Sequence, residues 1–141
     1  MKSLLQGAAT FFLLLPLVGC GSGPTVVQVT GVATRGGKPV KNLFLSFNPE
    51  DGTQPSTGMT DEQGRFELKI RKGQKGVTVG THKVVATFRP RSPQEEVEYA
   101  ERKLKYHPEQ DAILEKYGNR ETTAMTVEIV NSSTDLELKF D

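Results

Sequence analysis

The 141-residue chain has one cysteine, two histidines and no tryptophan. With a single cysteine there is no Cys-x-x-Cys, and His82 and His107 make no His-x-x-x-His, so a zinc site is not expected. The chain contains no Gly-x-Ser-x-Gly, the elbow that presents a nucleophilic serine. The missing tryptophan removes the largest aromatic platform on which a saccharide could stack. Neither sign of charge is in excess, with 18 Lys and Arg against 17 Asp and Glu. Loss of Lys2 with the N-terminal segment would balance them. A neutral chain argues against nucleic acid as partner, because the phosphate backbone demands a basic face. No apolar run reaches the roughly 20 residues of a membrane-spanning helix. The longest candidate, residues 4–18, falls short.

What is abundant is turn chemistry, with 14 glycines and 8 prolines. Frequent turns between short apolar runs favour an all-β fold. The N-terminus is a different kind of segment. Met1-Lys2-Ser3 is a short positive start, and residues 8–18 are apolar except for Thr10 and Pro16. Leu17-Val18-Gly19-Cys20 closes the run, and Gly21-Ser22-Gly23-Pro24 follows as a flexible tether. Residues 1–19 are therefore set apart as a processing segment. About 120 residues remain, enough for one modest core.

Residues 1–23 resemble the signal segments of bacterial lipoproteins through Leu-x-Gly-Cys. The resemblance implies cleavage between Gly19 and Cys20, acylation of the Cys20 thiol and export across the inner membrane. Three acyl chains would then hold the protein stably, where one alone is marginal. In that family an Asp after the cysteine marks inner-membrane retention. Gly21 stands there instead, which favours the outer membrane. A plain secretory signal would prefer an Ala-x-Ala-like site. A buried structural cysteine fits poorly among three neighbouring glycines.

Along the rest of the chain, alternation sets the strands. Residues 26–34 read as the first, and Arg35-Gly36-Gly37-Lys38 as a turn. Pro39 disfavours a central ladder position. Residues 42–48 put Leu43, Leu45 and Phe47 on one face, with Phe44 on the other. Residues 50–56 are a polar loop, 57–60 a short extended piece, and Asp61-Glu62-Gln63-Gly64 a type I turn. Residues 65–71 alternate with Phe66, Leu68 and Ile70 inward, and 72–76 connect onward. Residues 81–89 carry Val84, Ala86 and Phe88 on one face. Residues 122–130 and 135–140 close the set, joined by a hairpin turn at 131–134 and burying Leu136, Leu138 and Phe140.

Residues 90–118 break this pattern. Ser92-Pro93-Gln94-Glu95 has the form of a capping box with proline in the first turn. Val97, Ala100 and Leu104 follow as a narrow apolar stripe, and His107-Pro108 ends that helix. A second short helix opens at Pro108, with Ile113 and Tyr117 four apart and Gly118 as its cap.

Several stretches occur in an order that resembles a known family. They are Val29-Thr30-Gly31-Val32, Gly37-Lys38-Pro39-Val40, Phe47-Asn48-Pro49 and Thr60-Asp61-Glu62-Gln63-Gly64-Arg65-Phe66. Gly80-Thr81-His82-Lys83-Val84, Lys116-Tyr117-Gly118-Asn119 and Thr122-Thr123 continue the match. Together they resemble the carboxypeptidase regulatory-like domain over about residues 26–140, in the form carried by small bacterial lipoproteins. The resemblance implies a transthyretin-like (prealbumin-like) fold: an all-β, seven-stranded antiparallel β-sandwich with a short helical insertion before the last two strands. It also implies a non-catalytic accessory or binding module. The quoted motifs are turn and core devices and carry no chemistry of their own.

The expected organisation is a signal peptide at 1–19, a lipidated tether at 20–25, and a domain at 26–141 with its insertion at 90–118. Cys20 is the lipidation site, and Gly19 and Cys20 flank the cut. No residue is assigned as catalytic, cofactor-binding or metal-ligating. His82 alternates with Val84 and reads as a partly buried residue with a structural or turn role, and His107 as a helix cap or a solvated helix-boundary residue. Glu50-Asp51 and Asp61-Glu62 lack EF-hand spacing. A transthyretin-fold relative hydrolyses 5-hydroxyisourate using a Tyr-Arg-Gly-Ser ending. This chain ends Leu136-Glu137-Leu138-Lys139-Phe140-Asp141, so that activity is rejected. The expected function is a lipid-anchored envelope protein with a binding or structural module. Its partners are the membrane through Cys20 and an envelope protein or polysaccharide, with the insertion as contact surface. The alternative is a carbohydrate- or peptidoglycan-binding module using Tyr99, Tyr106 and Tyr117, and a hydrolase ranks last.

Overall fold

The computed structural model describes residues 23–71, 73–103, 105 and 108–141. The signal and lipidation positions, Gly19 and Cys20, lie outside the described residues, as do Leu104, Tyr106 and His107.

The chain runs through β1 (Val26–Val27), β2 (Val29–Arg35), β3 (Lys38–Pro39), β4 (Leu43–Pro49), β5 (Ser56–Met59), β6 (Arg65–Glu67), β7 (Lys69–Arg71), β8 (Gln74–Lys75), β9 (Val77–Thr78) and β10 (Gly80–Phe88). Two helices follow, α1 (Pro93–Ala100) and α2 (Pro108–Tyr117), and then β11 (Thr126–Ile129) and β12 (Ser133–Lys139). The larger sheet has the order β11-β10-β4-β5-β7-β8. In the smaller, β12 lies on one edge of β2, while β3 and β6 follow one another along the other edge. β1 and β9 form a separate pair.

The alternating faces come out as expected. Leu43, Leu45 and Phe47 of β4 are buried, as are Val84, Ala86 and Phe88 of β10. They share one core with Val29, Ala33 and Leu138 of the smaller sheet. Phe47 and Phe66 span the two sheets with ring centroids 6.3 Å apart. The Asp61 turn is also as expected: Gly64 N–H donates to Asp61 O at 2.9 Å, and Asp61 Oδ1 accepts from the amides of Gln63 and Arg65.

The expected strand 26–34 is broken at Gln28, with β1 pairing β9 apart from β2, and the expected strand 122–130 is confined to Thr126–Ile129. Four further features depart from the expectation. Residues 65–71 are not one strand. Leu68 divides them, so that β6 pairs with β2 in the smaller sheet and β7 with β5 in the larger. The chain crosses the core at Leu68, which is fully buried, and Ile70 beyond the crossing is only half-buried. Residues 72–76 are not a plain connection, because β8 folds back on β7.

Residues 131–134 do not close a hairpin. β11 pairs with β10, whereas β12 crosses to the other sheet and pairs with β2. That last pairing is parallel, while every other described pairing is antiparallel. The crossing lets Leu138 and Phe140 enter the core from the smaller sheet. It also brings β12 close to β2: a Cβ on Gly31 would sit 2.1 Å from the Leu136 carbonyl oxygen and 2.7 Å from the Phe66 ring. Only glycine fits there.

The last departure is α1, which ends at Ala100 and buries no residue. Of its expected apolar stripe, Val97 is 56% exposed and Ala100 is exposed as well. Arg102 takes a left-handed φ of 56°, which turns the chain out of helical geometry. α2 behaves as expected. It packs on β10 through buried Ile113 and Tyr117, and Gly118 N–H closes it onto Leu114 O.

Candidate functional site

The two ends of the domain differ. Thr25 O accepts from Val79 N–H at 2.9 Å, so the N-terminal tether enters beside the start of β10. β10 then runs nine residues to Phe88, about 30 Å at strand rise. The insertion and two surface clefts lie at that far end.

His82 sits near the tether end of β10 and is 0% exposed. Its Nε2 lies 2.7 Å from Thr78 O. A carbonyl only accepts, so Nε2 donates in this contact. Nδ1 has no hydrogen-bond partner among the described residues, and neither do Ser56 Oγ and Thr78 Oγ1. His82 faces Pro49 across β4, and Ser56 faces Phe47, whose ring is 6.1 Å from the imidazole. The side chain, expected from its strand position to be partly buried, is sealed, and a substrate cannot touch it in this conformation.

The aspartate of each acidic pair is held by its own turn. Asp61 is held below the ordinary carboxylate range, first by the Arg65 backbone N–H and then by Gln63 N–H and the Arg65 side chain. Asp51 is lowered in the same way by the Thr53 backbone N–H and hydroxyl. Among the described residues no three His, Cys, Asp or Glu side chains converge as a metal site requires. No described helix is long and apolar enough to cross a membrane.

The tyrosines separate. Tyr117 is buried, stacks edge-on against Phe140 at 5.1 Å and donates its hydroxyl to Asp141 O at 3.1 Å. It is core and not platform. Tyr99 is 55% exposed on α1. It borders a cleft of about 600 Å³ with Phe44, Met59, Thr87, Arg89 and Glu96. The Arg89 guanidinium lies 3.6 Å from the centre of the Phe44 ring, a cation–π contact that holds both on the outer face of the larger sheet.

A second cleft, of about 240 Å³, lies between β3 and α2. Pro39, Val40, Phe88 and Ile113 give it an apolar floor, with Arg35, Lys38 and Lys41 around it. Arg35 reaches across to donate Nη1 to Glu109 O at 2.6 Å, tying the β2–β3 hairpin to the start of α2. Neither cleft was visible in the sequence. Its only trace is the run of cations on either side of Gly36-Gly37, which also reads as an ordinary solvated turn.

No family model, curated protein or solved structure matches this chain.

Proposed function

We propose that this chain is a lipid-anchored protein of the bacterial cell envelope, held by acylated Cys20 and more readily placed in the outer than the inner membrane. Its two-sheet domain is a transthyretin-like, carboxypeptidase regulatory-like module that binds or scaffolds and does not catalyse. The observation that carries the reading is Leu17-Val18-Gly19-Cys20, followed at once by Gly21-Ser22-Gly23-Pro24 and then the first strand. A peptidase that cuts before a lipidated cysteine needs a small residue at Gly19. A domain standing off a bilayer needs a tether such as 21–24. The entry of that tether at Thr25, with α1 and α2 at the other end of β10, supports the insertion as the partner-facing surface.

Radiolabelled palmitate tests the anchor. The wild-type chain takes the label and sediments with membranes, and Cys20→Ala does neither. Label and membrane fraction unchanged in Cys20→Ala would overturn the proposal.

A second reading, a carbohydrate- or peptidoglycan-binding module, is favoured by exposed Tyr99 beside Phe44 and Arg89. Aromatic faces flanked by charged donors suit sugar rings. Retention on cell-wall material that Tyr99→Ala abolishes would favour this reading over the first. A hydrolase remains last: a discrete turnover lost in His82→Ala would be needed to raise it.

A further inference from the structure

We propose that the cleft between β3 and α2 is a binding site for a small carboxylate with a short apolar body. Three observations converge on that class. The floor is apolar, built from Pro39, Val40, Phe88 and Ile113. The surround is cationic, with Arg35, Lys38 and Lys41 against the single carboxylate of Glu109. The cations are only partly spent. Lys41 pairs with Glu62 at 3.0 Å, and Arg35 gives one N–H to a backbone carbonyl, while Lys38 has no ion pair among the described residues.

The geometry is held from both sides. Arg35 and Lys38 face each other across the β2–β3 hairpin, and the Arg35 bond to Glu109 O fixes α2 against it. A pre-formed site spends less binding energy on ordering its own groups. Its volume lies below the ~300 Å³ at which sites for drug-sized ligands begin, which selects a small molecule. A carboxylate offers two oxygens that match a guanidinium fork with an ammonium beside it, and it is small enough to leave room for an apolar body in a cleft of this volume. A neutral apolar molecule would leave the cations without return, and a bare anion would leave the floor wet. The inference stands on the cleft alone and does not require the Cys20 anchor.

The test titrates the full chain, in detergent, with isovalerate, isovaleramide and acetate, following the amide signals of Val40 and Ile113. Isovalerate should produce saturable shifts at both residues. Isovaleramide, of the same shape without the charge, should bind about tenfold more weakly. Acetate, with the charge but no body, should also bind about tenfold more weakly or worse. Lys38→Glu, at an exposed position, should weaken isovalerate about tenfold and leave isovaleramide unchanged. Equal binding of acid and amide would overturn the proposal. So would a Lys38→Glu protein that binds isovalerate as the wild type does, or shifts that never saturate at Val40 and Ile113.

Discussion

α1 and α2 belong to one insertion and have similar lengths, yet they are held by different forces. α1 has the better start. Ser92 Oγ accepts from Glu95 N–H at 3.2 Å, Pro93 occupies the first turn, and the Glu95 carboxylate accepts from Arg91 N–H at 2.8 Å. That last bond reaches one residue before the cap, so the box is looser than the reciprocal form. α1 has no buried side chain at all. α2 is docked by two residues, Ile113 and Tyr117, and by the meeting of Tyr117 with Phe140. A helix this short is marginal on propensity alone and needs either caps or packing. The insertion shows one of each. Local capping makes a helix without saying where it goes, whereas burial fixes position.

The sharpest way to break this contrast is Tyr117→Ala. It removes a buried ring and its edge contact, and should cost about 3–5 kcal/mol in urea unfolding. Ile113→Ala should follow at about 2–4 kcal/mol. If either proved neutral, α2 would be no better docked than α1. Tyr117→Phe keeps the ring and loses only the bond to Asp141 O, so a cost of about 1 kcal/mol is expected.

Ser92→Ala tests the other side. It should lower amide protection within α1 by about 1 kcal/mol while global stability moves by less than about 0.5 kcal/mol. A global loss as large as the local one would mean that α1 is coupled to the core. Glu95 adds a pH dependence to the same helix. The Arg91 backbone N–H, then its side chain, hold the Glu95 carboxyl below its ordinary value. The folded value being the lower one, the Glu95 contribution is complete above the ordinary carboxylate value. It is lost as pH falls through the lowered one. Exchange measured down that range should show α1 protection fading before α2 protection changes. The smallest effect belongs to Val97→Ala, which should stay within about 0.5 kcal/mol because the side chain faces water.

The helices also show how far residue patterns reach. Val97 and Ala100 belong to an apolar stripe, as Ile113 and Tyr117 do, yet the first two are exposed and the second two are buried, because a stripe states which face is apolar and not whether anything meets it. Residues 65–71 teach the same for strands. Phe66 and Leu68 were legible as inward from their alternation. That the chain passes between sheets at Leu68 was not, since both sheets present an inner face to the same core. The acidic turn at Asp61 was legible in full, because its bonds lie within five residues. The clefts were invisible, since Arg35 and Glu109 meet across 74 positions of sequence.

Alternation, turn residues and capping residues by themselves determined the strand faces, the Asp61 turn and the helical break after Phe88. These depend on neighbours a few positions apart, where covalent geometry already sets what each side chain can reach. Only the tertiary structure decided that β12 runs parallel to β2, that His82 is sealed with no partner at Nδ1 among the described residues, and that α2 closes a cation-bordered cleft while α1 stands free of the core. An edge strand or an apolar stripe accepts any partner that covers it, and the partner is chosen by what the rest of the chain has left uncovered.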